Sequence, residues 1–300
     1  MSSLHDDARL RLHREGSSMV QLLNASGCLD ALTAPGVAAS LDAFVTKTVT
    51  PEPREGNAPV RIAETEHGML NAIGLANPGR ERFLAEMLPR LRQLGLPLWV
   101  SVGGFAAHEY AETCARLEDV TIELNLSCPN VDEAPESAAE IVAACRKVTA
   151  SPLYAKLSPH AWDMGETVRA VEAAGADGVS LVNTLRGVAL DRQLRPALAR
   201  IAGGYSGPAL KPVALAAVCA ARAVTGLPIV GMGGVGSGRD ALELIACGAT
   251  HVALGTVLFA DPDAPQRVRE ELAGEATRAG FATPDEAFAS ALTSVAKMAN

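Results

Sequence analysis

Aromatic residues are scarce in this chain, only 4% of its 300 residues, and the arrangements that mark metal centres or membrane spans are missing altogether. A β-sandwich draws heavily on aromatic and β-branched pairs. Here Ala, Val, Leu and Gly dominate instead, as suits short buried parallel strands alternating with Ala-rich helices. The six cysteines, at 28, 114, 128, 145, 219 and 247, contain no CxxC pair and form no ligand ladder with the six histidines. That argues against structural zinc and against an iron–sulfur cluster within the chain, and leaves them to be read as reduced thiols of a cytoplasmic protein. Positive charge is also in deficit. A formal net charge of −8 provides no broad field to attract nucleic acid or an anionic membrane, so any anionic ligand must be held by local groups. The N-terminus has no apolar h-region and no later run is long and apolar enough to cross a bilayer, so a soluble protein is expected.

The 48% hydrophobic content is enough for a large core, and the length suits a single (β/α)8 barrel over 1–300, roughly 250 residues plus insertions. Eight short β-rich runs are present, at 20–26, 43–49, 97–103, 120–127, 152–158, 178–184, 228–234 and 251–257. Most are followed by an Ala- and Glu-rich helical stretch. Glycines at 175, 226 and 248 punctuate three helix ends before the next strand. Eight βα units in a row predict barrel closure, whereas an open doubly wound sheet would normally use five or six strands. Two connections are too long to be ordinary, about 50–80 and 185–211. Both leave the C-terminal ends of strands, where barrel enzymes keep their sites, and are expected to be walls or lids.

The seventh run leads into Gly231-Met-Gly-Gly-Val-Gly-Ser-Gly238 ahead of a helix, and the eighth ends in Gly255-Thr256. Glycines let backbone N–H groups approach an anion, and a helix N-terminus adds partial positive charge, so the pair reads as a phosphate cradle. A phosphorylated cofactor or a phosphorylated substrate would satisfy it equally. Ser101, Asn125, Ser127, Lys156, Asn183 and Thr184 stand toward the C-terminal ends of apolar strands, where burying an unpaired polar group is costly, so they are expected to face a ligand. Lys47 and Lys156, inside VTKTV and LYAKLS, are read the same way, suited to compensating an anionic substrate or the electron-rich edge of a reduced flavin. Cys128 lies where a strand leaves the barrel into a Pro-directed loop. A thiol there can act as base or nucleophile, or simply fill space, and position alone does not choose. The other five cysteines are read as packing residues.

Several ordered runs carry a resemblance. RIAETEHGMLNAIGLANPG from Arg61, ELNLSCPN from Glu123, YAKLSP from Tyr154, VNTL from Val182, GGYSGPALKP from Gly203 and GMGGV from Gly231 resemble class 1 dihydroorotate dehydrogenases, and more specifically the catalytic subunit of subclass 1B. The resemblance implies an FMN-dependent oxidoreductase that converts dihydroorotate to orotate. It implies Cys128 as the base at C5, while hydride leaves C6 for the flavin. Lys47, Asn71, Asn125, Asn183 and Thr184, with backbone groups of Ile73, Gly74 and Leu75, would hold the substrate. FMN would contact Ala25, Ser26, Gly27, Lys47, Thr48, Asn125, Lys156, Ser206 and Gly207, with Gly233, Gly234, Gly255 and Thr256 around its phosphate. A homodimer and an iron–sulfur/FAD electron-transfer subunit passing electrons to NAD are implied as partners. The sequence departs from the family in a short segment after SCPN (131–136), a short segment after Gly27, Ser101 in place of Asn, and Arg186 in place of Met. These departures sustain an alternative, a related flavoenzyme acting on another cyclic amide or pyrimidine-like substrate. A non-catalytic flavin-binding scaffold and a phosphosugar isomerase are the readings from other classes.

Overall fold

The structure is a computed structural model that describes residues 20–126, 137–160 and 163–298, without the side chains of 294–298. Eight strands form one parallel sheet: β1 (Gln21–Asn24), β2 (Phe44–Val45), β5 (Leu98–Val102), β6 (Thr121–Asn125), β7 (Leu153–Leu157), β8 (Gly178–Leu181), β11 (Ile229–Met232) and β12 (His251–Leu254). Their spatial order is β1-β12-β11-β8-β7-β6-β5-β2. A parallel bridge between Leu23 and Ala43 joins β1 to β2 and brings the sheet round on itself. The result is the (β/α)8 barrel that eight βα units predict, and each strand lies within one of the eight runs. Among the described residues no helix is long and apolar enough to cross a membrane.

Burial follows strand alternation. Outward side chains such as Leu22, Val100, Ile122, Leu124, Leu153 and Ile229 pack against the helices. Inward ones form a separate cluster of Leu23, Ala43, Val45, Trp99, Tyr154, Val230, Met232 and Ala253. At the base of the barrel the Trp99 and Tyr154 rings lie 4.3 Å apart, with His251 5.9 Å from Trp99. The few aromatic residues of the chain thus include two that plug its axis.

Three loops leaving the C-terminal ends of strands finish in side-chain caps. Ser137, Asp163 and Ser237 accept from the backbone N–H of Glu140, Glu166 and Asp240, satisfying donors that open each helix. Gly175 and Gly248, at φ 103° and 107°, end helices as expected. Gly226 does not. The helix Lys211–Arg222 stops before it, and buried Arg222 donates to the carbonyls of Thr225, Leu227 and Gly248. The guanidinium thereby fixes the loop between this helix and the next strand, while the helix-end carbonyls of Cys219 and Ala221 accept from the N–H groups of Ala223, Val224 and Thr225.

The two long connections pair with each other. β3 (Ile62–Thr65), β4 (Gly68–Asn71), β9 (Leu185–Gly187) and β10 (Gly203–Ser206) make an antiparallel sheet in the order β3-β4-β10-β9. Asn71 stands opposite Gly204 and Met69 opposite Ser206. Neither connection is a free lid. Together they build a wall whose hydrogen bonds span more than a hundred residues of sequence.

Candidate active site

A cavity of about 580 Å³ opens at the C-terminal end of the barrel, under the antiparallel wall. That is within the usual range for a small-molecule or cofactor site. Strand ends supply Ala25, Ser26, Gly27, Lys47, Thr48, Asn125, Lys156, Asn183 and Thr184; the wall supplies Asn71, Ile73, Leu75, Ser206 and Gly207; the last two barrel loops supply Gly233, Gly234, Gly255 and Thr256. Gly74 is not on the cavity surface. Its α-carbon faces Asn57, and its carbonyl accepts from Arg54 Nε at 3.3 Å. Cys128 and Ser127 lie outside the described residues.

A polar belt crosses the top of the barrel. Ser26 Oγ donates to the Thr46 carbonyl at 2.9 Å and lies 3.3 Å from Thr48 Oγ1. Thr48 Oγ1 is also 3.0 Å from Ser101 Oγ and accepts from Asn125 Nδ2 at 3.1 Å. Asn125 Oδ1 accepts from Asn183 Nδ2 at 3.1 Å, and Asn183 Oδ1 accepts from the Thr184 N–H at 2.8 Å. The hydroxyl protons can be ordered consistently. With the Ser26 proton on Thr46, Thr48 donates to Ser26 and accepts from both Ser101 and Asn125, filling its one donor and two acceptor places. Ser101 was expected to face a ligand. It is instead fully buried, with its N–H on Thr46 Oγ1 and its hydroxyl on Thr48, so it supports the belt from behind.

The wall loop is fixed as tightly. Asn77, 9% exposed, accepts from the N–H of Thr50 and Gly79 and donates to Thr50 Oγ1 and the Leu75 carbonyl. All four of its hydrogen-bonding places are used. They hold the turn in which Leu75 takes φ 57°, an uncommon conformation for a branched residue. The Arg54 guanidinium lies 4.7 Å above the Phe105 ring, tying this loop to the one after β5.

Gly234 sits at φ 79°, and a Cβ there would fall 2.7 Å from Lys211 Cβ and 2.9 Å from the Lys211 backbone nitrogen, so only glycine fits. The adjoining helix Gly238–Ala246 does not offer its first donors to an anion as the sequence suggested. Gly236 N–H donates to Asp240 Oδ2 at 3.0 Å, Gly238 N–H to Glu271 Oε2 at 2.7 Å, and Asp240 N–H to Ser237 Oγ at 3.2 Å. Nearby carboxylates and its own cap have taken them. The glycine turns themselves, through Gly233, Gly234, Gly236 and Gly255, face the cavity. Arg267 holds the two turns in mutual register, donating to the Gly236 carbonyl and Glu271 on one side and through Nε and Nη2 to Asp261 on the other.

Electrostatically the cavity floor is cationic. Burial pushes the Cys28 thiol up, against the opposing pull of the Lys156 and Lys47 ammonium groups. The group therefore stays protonated at neutral pH, and both lysines lie close enough to act on it. Beside the glycine turns, Asp240 and Glu243 raise Lys211 above its ordinary value. Burial opposes ionisation of Asp240, yet Lys211, Ser237 and the Gly236 N–H hold its carboxyl below the usual range.

Sequence reasoning missed Cys28, Ile62, Met69, Val182, Met232 and Phe259, which also line the cavity. Cys28, which the sequence presents as a packing residue, lines the cavity directly after Ala25-Ser-Gly27, and that adjacency is the signal that marks it. Cys114 and Cys145 are buried as expected, whereas Cys219 is exposed.

Comparison with known proteins gives one consistent answer. A family model described as dihydroorotate dehydrogenase matches residues 19–275. A "dihydroorotate dehydrogenase B (NAD(+)), catalytic subunit" of Listeria monocytogenes serotype 4a (strain HCC23) is 44% identical, over 82% of this chain and 85% of the relative. Proteins with the same description from Latilactobacillus sakei subsp. sakei (strain 23K) and Trichlorobacter lovleyi (strain ATCC BAA-1151 / DSM 17278 / SZ) are 47% and 45% identical. They match over 78% and 77% of the chain and over 81% and 80% of their own lengths.

Proposed function

The chain belongs to the dihydroorotate dehydrogenase family, and from that membership we propose that it oxidises dihydroorotate to orotate, in pyrimidine biosynthesis, with FMN as its cofactor. The observation that carries the proposal is the convergence on one cavity of a hydrogen-bonded Ser26–Thr48–Asn125–Asn183 belt, two lysines and two glycine turns. The fit to FMN rests on the same features. The cavity is large enough for a flat ring with a tail, and Gly234 leaves backbone where any side chain would collide with Lys211.

In this reading Gly233, Gly234, Gly255 and Thr256 hold the phosphate, and Ala25, Ser26, Gly27, Lys47, Thr48, Asn125, Lys156, Ser206 and Gly207 hold the remainder of the cofactor. Bound FMN supplies a two-electron acceptor. Asn71, Asn125, Asn183 and Thr184 orient the pyrimidine through its amide edges, and Lys47 with the backbone of Ile73 and Leu75 meets its carboxylate, Gly74 being turned away from the cavity. Cys128 takes the proton from C5 as hydride departs from C6, so the substrate loses two electrons and two hydrogens and gains a ring double bond. The belt matters because an Asn125 already fixed by Thr48 and Asn183 needs no reordering when substrate arrives.

The whole chain acts as one FMN-binding barrel domain, with the antiparallel wall as its insertion. The relatives' description as a catalytic subunit with NAD(+) supports a partner subunit, and an iron–sulfur/FAD subunit that passes electrons to NAD is the partner this reading takes. A homodimer in the cytoplasm is the assembly that goes with this reading.

The test is a visible spectrum of purified protein followed by anaerobic titration with dihydroorotate. A flavin band that bleaches stoichiometrically is expected. An intact band that does not bleach would move the substrate to another cyclic amide, and colourless protein that takes up no FMN would overturn the reading.

A further inference from the structure

Directly beneath the cavity floor lies a charged group that no step above uses. Glu123 sits two residues before Asn125 on the same inward face of β6, and it is 1% exposed. Its Oε1 accepts no hydrogen bond among the described residues, and Lys156 Nζ is 3.6 Å away. Lys156, 5% exposed, is the register partner of Asn125 on one side and of Ser180 on the other. The Ser180 hydroxyl is likewise buried without a hydrogen-bond partner among the described residues.

A buried ion pair in which a carboxylate oxygen lacks a hydrogen bond is a poor source of stability, because desolvating two charges offsets most or all of their attraction. An apolar pair of similar volume would serve the barrel as well. The pair does have one consequence that an apolar pair lacks. Lys156 lines the cavity whereas Glu123 does not, so the cavity meets a cation whose field is partly cancelled from below.

We infer that Glu123 is a positioning residue for Lys156: it holds the ammonium at the cavity floor and moderates its charge, and so sets how strongly the site prefers the electron-rich reduced cofactor over the oxidised one. This rests on the flavin reading of the site. Removing the carboxylate charge leaves Lys156 uncompensated in a low-dielectric interior, which favours added negative charge in the cavity. The expected size is roughly a tenfold or greater rise in affinity for reduced relative to oxidised FMN, which is a change of one pK unit or more in equivalent interaction.

The experiment compares wild-type holoprotein with Glu123→Gln, measuring the midpoint potential of bound FMN by equilibration with a reference dye. The potential is expected to move positive, and Glu123→Asp, which withdraws the charge by one methylene, is expected to shift it less in the same direction. In a Lys156→Gln background the Glu123→Gln substitution is expected to add nothing. A merely structural carboxylate would alter thermal stability and leave the potential where it was, and that result overturns the inference. So does a full shift in the Lys156→Gln background. Should Glu123→Gln not fold, an unchanged potential in Glu123→Asp overturns it equally. Wild-type protein that binds no flavin would instead strike the underlying reading of the site.

Discussion

The base and the rim of the barrel interior are made by the same strands, one pleat apart, and they are filled in opposite ways. At the base, Trp99 and Tyr154 pack against each other with tilted rings beside His251 and close the axis. Toward the rim the inward positions turn polar: Glu123 first, then Ser180, Lys156 and Asn125, with Thr48 and Asn183 beside them. Burying aromatic surface stabilises a fold directly. Burying Asn, Lys and Glu does so at best weakly, and only when partners are supplied. The base is therefore where this molecule gains stability, and the rim is where stability has been given up for chemistry.

That contrast can be broken by experiment, and Cys128→Ala should have the largest effect. Removing the proposed general base is expected to slow flavin reduction by dihydroorotate by roughly 10²–10⁴-fold. FMN binding and thermal stability should be unchanged, and normal reduction in a stopped-flow trace would take Cys128 out of the mechanism. Trp99→Ala probes the base. It should lower unfolding free energy by about 3–5 kcal/mol in denaturant titration, as for other large aromatic truncations, while substrate still bleaches the flavin of the folded fraction. If instead stability holds and bleaching fails, the division between base and rim is wrong.

Thr48→Val sharpens the comparison by striking the hub of the belt. It strands the Asn125 amide and the Ser101 hydroxyl and should destabilise by about 1–3 kcal/mol. The telling readout is a fall in the flavin reduction rate that the change in stability does not explain. Arg267→Met addresses the glycine turns. The ties to Gly236 and Asp261 are lost, and FMN affinity should weaken roughly tenfold, the effect of losing one or two hydrogen-bonded supports. Riboflavin, which has no phosphate, should bind as before, and equal weakening of both ligands would refute a role at the phosphate turns.

The smallest effect concerns acid. Asp240 is held below its ordinary value of 3.8 despite burial, through Lys211, Ser237 and the Gly236 N–H. A depressed carboxylate contributes stability that is fully present above the unfolded-state value and is lost as pH falls through the lower folded value. The difference in thermal midpoint between wild type and Asp240→Asn should thus be constant above about pH 4 and shrink below it. A difference that grew on acidification would reverse the assignment.

Much of the fold could be read from the chain because it depends on local patterning. Each of the eight strands falls within a short apolar run, and past the two residues of β2 the chain keeps bonding to β5 through Thr46 and Val49 while Lys47 and Thr48 line the cavity. The polar strand ends were legible for the same reason: Asn125, Lys156 and Asn183 interrupt apolar runs where core packing gives no cause for them. Ser101 misled because a serine at a strand end looks the same whether it faces a ligand or the back of a threonine. The caps on the helix Gly238–Ala246 misled because Glu271 is 33 residues from Gly238, and no local pattern announces a carboxylate arriving from another helix.

The sequence by itself determined the period of the strands, the number of βα units, the glycine turns and the residue types at the rim, since these follow from side-chain alternation, backbone freedom and the cost of unpaired polar groups. Only the tertiary structure decided that β4 would pair with β10 to make one wall, that Thr48 would join Ser26, Ser101 and Asn125, and that Glu123 would lie under Lys156. Those arrangements depend on which strands become neighbours when the sheet curls round on itself, a property of the closed barrel that no single segment contains.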